Sequence, residues 1–395
     1  MSTGRRLIRP RQKAWAIGAV LALAAAAAAG CSSGSGGSSG STASSKTSKV
    51  TIELTPQGCM PKPAKISAGQ VDFTVANKDA DAVSEAELRT ADMSRILAEQ
   101  ENLSPGLSGG FSLNVQPGSY KISCPGATQS RWTFTVSGKA TGPAWQSNSQ
   151  LTAAVRGYSG YIGQNAAALV SHTKSFCRAI DAGDMAQAKL LYPQARVFYE
   201  HIEPVAEIWG TLDTQIDGRW ENPVTVPSQF MGFHKIEQLI WSDNTLAGTR
   251  KLCAGLVQHE QQLNHLVSNA QYSPLEMASG ATDLINEAAT SKISGEEERY
   301  SNTDLPVFQA NVDGAMEIVA LLRPYLQQKD PSLLALIQRR DAAVAKLMTK
   351  YKATPGYDGT GYVEYSTVLD NQRRQLAASV NALAEALSKV PSQVS

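Results

Sequence analysis

The chain has 395 residues, with 36 Lys or Arg against 35 Asp or Glu and a formal net charge of +1. That balance, with no Lys/Arg-dense aromatic patch, argues against a nucleic-acid partner. Once an N-terminal leader is set aside, about 350 residues are left, enough for two or three domains.

Arg5, Arg6, Arg9, Arg11 and Lys13 precede an apolar run at residues 14–29, which Gly30-Cys31 closes. This is the pattern of an export signal, and its apolar core is short for a membrane span. A Cys directly after small residues predicts cleavage before Cys31 and lipidation of its sulfur, so the expected product is a bacterial lipoprotein. Ala28 stands where Leu is usual in such signals, so plain cleavage after a small residue is the alternative, and Arg5-Arg6 leaves both general and twin-arginine export open. Either route places the protein at the outer face of the cytoplasmic membrane or in a periplasm-equivalent space. Residues 32–48 are almost wholly Ser, Gly, Thr and Ala. Such a segment is a flexible tether, with a reach of about 20 Å. No later segment reads as a bilayer span.

Residues 49–137 alternate short apolar runs with turn residues. Val50-Thr51-Ile52-Glu53-Leu54, Val71-Asp72-Phe73-Thr74-Val75, Phe111-Ser112-Leu113-Asn114-Val115, Tyr120-Lys121-Ile122-Ser123-Cys124 and Trp132-Thr133-Phe134-Thr135-Val136 read as strands of a small β-sandwich. Residues 138–149, with Gly142-Pro143 and a Ser/Asn/Gln stretch, read as a linker. Residues 150–395 change to long 3.6-period segments rich in Ala, Leu and Glu, with breaks expected at Pro193, Pro227, Pro274, Pro306 and Pro324. The expected fold class is therefore multidomain: a small all-β sandwich followed by an all-α bundle or pair of bundles. With Cys31 assigned to lipid, four cysteines remain. One disulfide per domain, Cys59 with Cys124 and Cys177 with Cys253, is the simplest of the three pairings.

Gly232-Phe233-His234-Lys235-Ile236-Glu237 puts His234 and Glu237 side by side on a helix whose flanks are apolar, so this polar pair needs a partner. A metal ion is one such partner; a hydrogen-bonded pair is the plain alternative. Upstream, Glu200, Glu203 and Glu207 fall on one helical stripe, where buried like charges repel and a cation would relieve them. A solvated acidic face is the alternative there. Asp217, a turn after Asp213, could close the shell, and Glu296, Glu297 and Glu298 offer a third acidic edge, or else only the first turn of a helix capped by Ser294. Oxygen donors with a nitrogen and no thiolate favour Fe²⁺, Fe³⁺, Mn²⁺ or Zn²⁺ over Cu⁺. Iron is the first expectation, with Zn²⁺ or Cu²⁺ behind it. Lys235 stands where a zinc peptidase of the His-Glu-x-x-His kind carries its Glu, so no general base is visible. His172, His259 and His265 have no convergent acids and read as structural or surface residues.

In the β part only Cys59, Met60, Glu85, Glu87, Met93 and Cys124 stand out as metal-capable. A blue-copper site needs two His beside its Cys, and His172, outside the β part, is the first His after the signal. A Cys59–Cys124 disulfide is the first reading, a thiolate and carboxylate metal site the second.

Taken together, the chain resembles the EfeO type of iron-uptake protein, a cupredoxin-like domain followed by an imelysin-like helical domain. The resemblance is carried by Cys59, Glu85-Ala86-Glu87, Glu101-Asn102-Leu103-Ser104-Pro105-Gly106, Gln116-Pro117-Gly118-Ser119-Tyr120 and Cys124 in the β part. In the helical part it is carried by Arg196, Tyr199-Glu200-His201-Ile202-Glu203-Pro204, the segment from Gly232 to Glu237, and Lys292-Ile293-Ser294-Gly295-Glu296-Glu297-Glu298-Arg299-Tyr300-Ser301. It implies an exported component of a ferrous or ferric iron uptake system, working with a membrane iron permease and a dye-decolourising-type haem peroxidase. The metal site it implies is His234 and Glu237 with Glu200, Glu203, Asp217 and one of the three glutamates, taken as Glu297. A second site would fall on Cys59, Glu85, Glu87 and Cys124. The imelysin name is a peptidase classification, so an exported metallopeptidase using the same His/Glu metal is the enzyme alternative; a non-catalytic carrier is the main reading.

Overall fold

The computed structural model describes residues 47–101, 103–139, 142–220 and 223–394. The expected export signal, Cys31 and nearly all of the tether lie outside them.

Eight strands build the β part: β1 Ser48–Leu54, β2 Lys65–Ser67, β3 Gly69–Asn77, β4 Ala86–Thr90, β5 Ile96–Gln100, β6 Ser108–Val115, β7 Gly118–Ser123 and β8 Arg131–Ser137. They form a three-stranded sheet, β1-β3-β6, and a five-stranded sheet, β2-β8-β7-β4-β5. β1 runs parallel to β3, with Val50 opposite Phe73, and β6 is antiparallel to β3, with Phe111 opposite Phe73. Alternation puts Val50, Ile52, Leu54, Val71, Phe73 and Val75 into one core with Leu88, Ile122, Phe134 and Val136 of the other sheet. Across that core Phe73 meets Phe134 edge-on at 5.5 Å. β4 has no simple alternation, because Glu87 is buried beside Leu88 and is held by the Arg89 fork through two bonds of 2.6 Å. Cys59 and Cys124 are joined in a disulfide. This removes both thiolates, so a site using them as metal ligands is set aside.

The helical part begins at α1 Ser149–Asp181, whose first N–H groups are capped by the Asn148 side chain. α2 Met185–Glu200, α3 Glu203–Ala206, α4 Thr211–Asp217, α5 Gly232–Glu237, α6 Thr249–Asn269, α7 Pro274–Thr290, α8 Asp304–Lys329, α9 Pro331–Met348 and α10 Asp370–Leu387 follow. Two of the expected breaks do not occur: Pro193 lies inside α2 and Pro324 inside α8. Proline forfeits its own N–H bond, and long helices packed on both sides of it hold the axis. Pro274 and Pro306 sit in first helical turns, where that N–H is not needed, and Ser273 with Glu276 completes a capping box.

α8 packs against α1, α2, α7 and α9, while α1 also contacts α6 and α10 contacts α7 and α9. α8 is thus enclosed by other helices, which explains its composition. Contrary to the expectation that no later segment would read as a bilayer span, it is long and apolar enough for one by length and composition, yet 67% of its most apolar window is buried inside the protein. It is a core helix. A second disulfide, Cys177–Cys253, ties α1 to α6. The β part meets the helical part through Arg95, which contacts Glu276 at 3.7 Å and donates to the Gln271 carbonyl at 3.3 Å.

Candidate metal centre

The chain turns sharply wherever the candidate residues lie. α2 ends at Glu200 and α3 restarts at Glu203, so the expected single stripe through Glu200, Glu203 and Glu207 is broken between its first two members. Pro204, at the start of α3, explains the break, because it has no N–H to give the Glu200 carbonyl and its ring would clash with that carbonyl if α2 ran on. Glu296, Glu297 and Glu298 lie in a turn before α8, not in a helix. α5 is brought against the end of α4 by Gly232, whose φ is +72° and whose absent Cβ would lie 2.1 Å from the Ile216 carbonyl oxygen. No other residue type fits there.

This close approach faces His234 toward Asp217. His234 is 2% exposed, and its Nδ1 lies 2.9 Å from Glu237 Oε2. Glu237 Oε1 in turn accepts the backbone N–H groups of Tyr300, at 3.0 Å, and Ser301, at 2.7 Å. The other ring nitrogen, Nε2, is 3.3 Å from Asp217 Oδ1 and 3.8 Å from Glu297 Oε1, and it makes no aligned hydrogen bond. His234 and Glu237 are therefore adjacent, as their spacing predicts, but Glu237 grips the far side of the ring. Asp217, His234 and Glu297 offer one donor each within 4.8 Å of one another; His234, Glu237 and Glu298 form a second such set. A cavity of about 10 Å³, lined by Arg219, Trp220, His234, Glu237, Glu296, Glu297, Arg299 and Tyr300, reaches the imidazole. That is about the volume of one water-sized probe.

The centre is acidic, but it supplies its own cations. Arg196 is fully buried and lies in contact with Glu200 at 2.5 Å, Glu298 at 2.7 Å, Glu297 at 3.0 Å and Asp217. Arg219 pairs with Glu297. Lys292 Nζ donates to Glu200 Oε2 at 2.8 Å and to both oxygens of Glu203 at 2.5 and 2.6 Å. Asn311 Nδ2 donates to the same two carboxylates at 2.9 Å each. Glu200 and Glu203 thus face an ammonium and an amide, while Asp217 and Glu297 face the imidazole.

Protonation follows from these contacts. Burial alone would lower the His234 pKa, but the Asp217 carboxylate and the hydrogen bond to Glu237 raise it to about 10. Burial pushes Asp217 up, and Arg196 and His234 overcome it, so its carboxyl sits well below the usual range. Glu297 is likewise held low against burial by Lys292 and Arg219. Glu298 goes the other way: burial raises it to about 8 despite Arg196.

Residues 154–390 match the family model for imelysin, and residues 16–136 match that for a cupredoxin-like domain. Proteins named iron uptake system component EfeO from Escherichia coli K12, Shigella flexneri and Shigella sonnei are each 37% identical over 347 residues, covering 87% of this chain and 90% of theirs. The chain belongs to the imelysin family, in its EfeO-type two-domain form. A Parabacteroides distasonis crystal structure described as an iron-regulated protein A precursor superposes with a TM-score of 0.50 at 14% identity, covering 65% of this chain and 97% of that one. That likeness concerns the fold alone.

Within this imelysin-family centre, Arg219 and Asn311 are residues that the sequence does not single out, and Arg196 and Lys292 enter there only as marks of resemblance. One signal was available: several acids expected to be buried require nearly as many buried bases. In the cupredoxin-like part, Glu87 is occupied by Arg89, and burial with the nearby Glu101 and Glu87 raises Glu85 to about 7. His172 packs on Phe198 at 4.5 Å, and His265 is exposed.

Proposed function

We propose that this EfeO-type protein is a non-catalytic iron-binding component of an uptake system, taking the ion between Asp217, His234 Nε2 and Glu297 and passing it to a membrane permease. The observation that carries this reading is His234 Nε2, a buried nitrogen without an aligned hydrogen-bond partner, aimed between two carboxylates held ionised by their neighbours. Glu237 acts on the opposite nitrogen, orienting the ring, as carboxylates behind metal-bound histidines commonly do. Glu200 and Glu203 adjoin the ion through the shared carboxylates of Asp217 and Glu297. Hydrolysis is disfavoured because Lys235 occupies the base position and donates to Gln238 at 2.6 Å, while Glu237 is saturated by two backbone N–H groups and the imidazole. Lipidation at Cys31 would hold the carrier at the outer membrane face, within tether's reach of the permease and of a haem peroxidase partner.

The test is metal analysis with titration. Protein from Ser32 onward is stripped with chelator, and Fe²⁺, Fe³⁺, Zn²⁺ and Cu²⁺ uptake is followed in wild type and in His234→Ala. One tight iron ion, lost in the variant, is the expected result. Unchanged stoichiometry in His234→Ala sinks the site, and metal-dependent peptide hydrolysis lost in that variant would establish the enzyme reading instead.

A further inference from the structure

Two sets of donors lie side by side in this centre. Asp217, His234 and Glu297 form one; Glu200, Glu203, Asp217 and Glu297 form the other, each set drawn within 4.8 Å. They share Asp217 and Glu297. Glu297 Oε1 lies almost midway between the two positions, 3.8 Å from His234 Nε2 and 3.7 Å from Lys292 Nζ. Two adjoining cation positions bridged by carboxylates are the layout of two-metal centres, whose ions stand about 3.5–4 Å apart.

The second position already holds a charge. Lys292 is 2% exposed, and all three of its ammonium protons are matched by the oxygens of Glu200 and Glu203. The oxygen supply around it exceeds what an ammonium uses. Glu200 Oε1 touches Arg196 without hydrogen-bond geometry, and Asn311 Oδ1 is buried with no partner. The Glu200 and Glu203 carboxylates, with Glu297 Oε1 at 3.7 Å, bring five oxygens to a group that can engage three, and hard divalent ions take about six such ligands. Nor is the ammonium free to swing away. Its turn, Lys292–Ser294, is pinned by Tyr365, which donates to the Ile293 carbonyl at 2.6 Å, and by Arg373, which donates to the Ser294 carbonyl at 3.0 Å.

We propose that Lys292 is a built-in counter-cation occupying the second position of a carboxylate-bridged pair, so that the centre takes one metal ion where its carboxylates alone would take two. The inference rests on the site assigned above, and it gives Lys292 control of stoichiometry. A single positive charge, covalently fixed, does for Glu200 and Glu203 what a second ion would do, and leaves the His234 position to fill and empty by itself.

The experiment compares wild type, Lys292→Gln and Lys292→Arg, titrated with Mn²⁺ alone under argon, with metal content counted after gel filtration and the Mn²⁺ spectrum recorded by electron paramagnetic resonance. Wild type and Lys292→Arg are expected to take one ion with an uncoupled signal. Lys292→Gln is expected to take two, with the exchange-coupled spectrum of neighbouring ions, which a purely structural lysine would not produce. Where Lys292→Gln does not fold free of metal, it is prepared in Mn²⁺, and two bound ions again support the proposal. One ion with an uncoupled signal, or no folded protein in either condition, overturns it. Wild type taking no ion defeats the carrier reading itself; Lys292 is then judged separately, by whether Lys292→Gln gains an ion over wild type.

Discussion

Metal uptake should expel a proton from His234, and the geometry says how strongly. Without metal the ring is sandwiched between Glu237 at Nδ1 and Asp217 at Nε2, and its pKa is raised to about 10. At pH 7 the imidazole is therefore protonated on both nitrogens, and an ion can reach Nε2 only by displacing that proton. Three pH units below its pKa, the proton competes by about a thousandfold, or about 4 kcal/mol. Calorimetric titration of metal-free protein with Zn²⁺ in two buffers of unlike ionisation enthalpy counts the protons released. About one per ion is expected from His234 at pH 7, and the association constant should rise roughly tenfold per unit of pH up to about 9. The linkage has a second face. Because the folded pKa is raised above the ordinary value of 6.5, His234 stabilises the metal-free fold fully below pH 6.5, and that contribution is lost as pH rises through about 10. The metal-loaded protein should lack this loss. Release of no proton at pH 7, with affinity flat from pH 6 to 9, would refute the protonated-imidazole reasoning.

Arg196→Met removes a fully buried charge from four carboxylates and is expected to cost the metal-free protein about 3–5 kcal/mol, measured by denaturant titration in chelator. Gly232→Ala places a methyl group against the Ile216 carbonyl at φ +72°. It should lower stability by more than about 1 kcal/mol and weaken metal binding through displacement of α5, with both followed in one melting series with and without Zn²⁺. Replacing Cys59 and Cys124 together by Ser should lower stability by about 4 kcal/mol in the loop-entropy treatment. The ion count of the helical part should stay as in the wild type; a lost ion would show that the cupredoxin-like part shapes the centre.

Much of the architecture was legible because it repeats along the chain. Alternation in Val50-Thr51-Ile52-Glu53-Leu54 and Val71-Asp72-Phe73-Thr74-Val75 is a local record of which face is buried, and these segments are strands β1 and β3. β4 escaped notice because Glu87 and Arg89 satisfy each other inside the sheet, so a buried strand carries surface-type residues. The proline breaks were misjudged at Pro193 and Pro324 for the converse reason: tertiary packing of α2 and α8 outweighs a local helix-breaking preference.

At the centre the division is sharper. The chemical inventory, His234 and Glu237 at i, i+3 with acids at Glu200, Glu203, Asp217 and Glu297, belongs to the sequence, since helical spacing makes neighbours of residues three apart. Which atom faces which is a matter of tertiary structure. Lys292 meets Glu200 across 92 positions and Arg196 meets Glu298 across 102. No periodicity reports on such distances, because buried charges choose partners by where the backbone carries them and by the cost of leaving any one unpaired. The acids seen in the sequence as a vacancy for a cation are, in the folded protein, already matched by Arg196, Arg219 and Lys292, and His234 Nε2 is the buried nitrogen left facing Asp217 and Glu297 without an aligned partner.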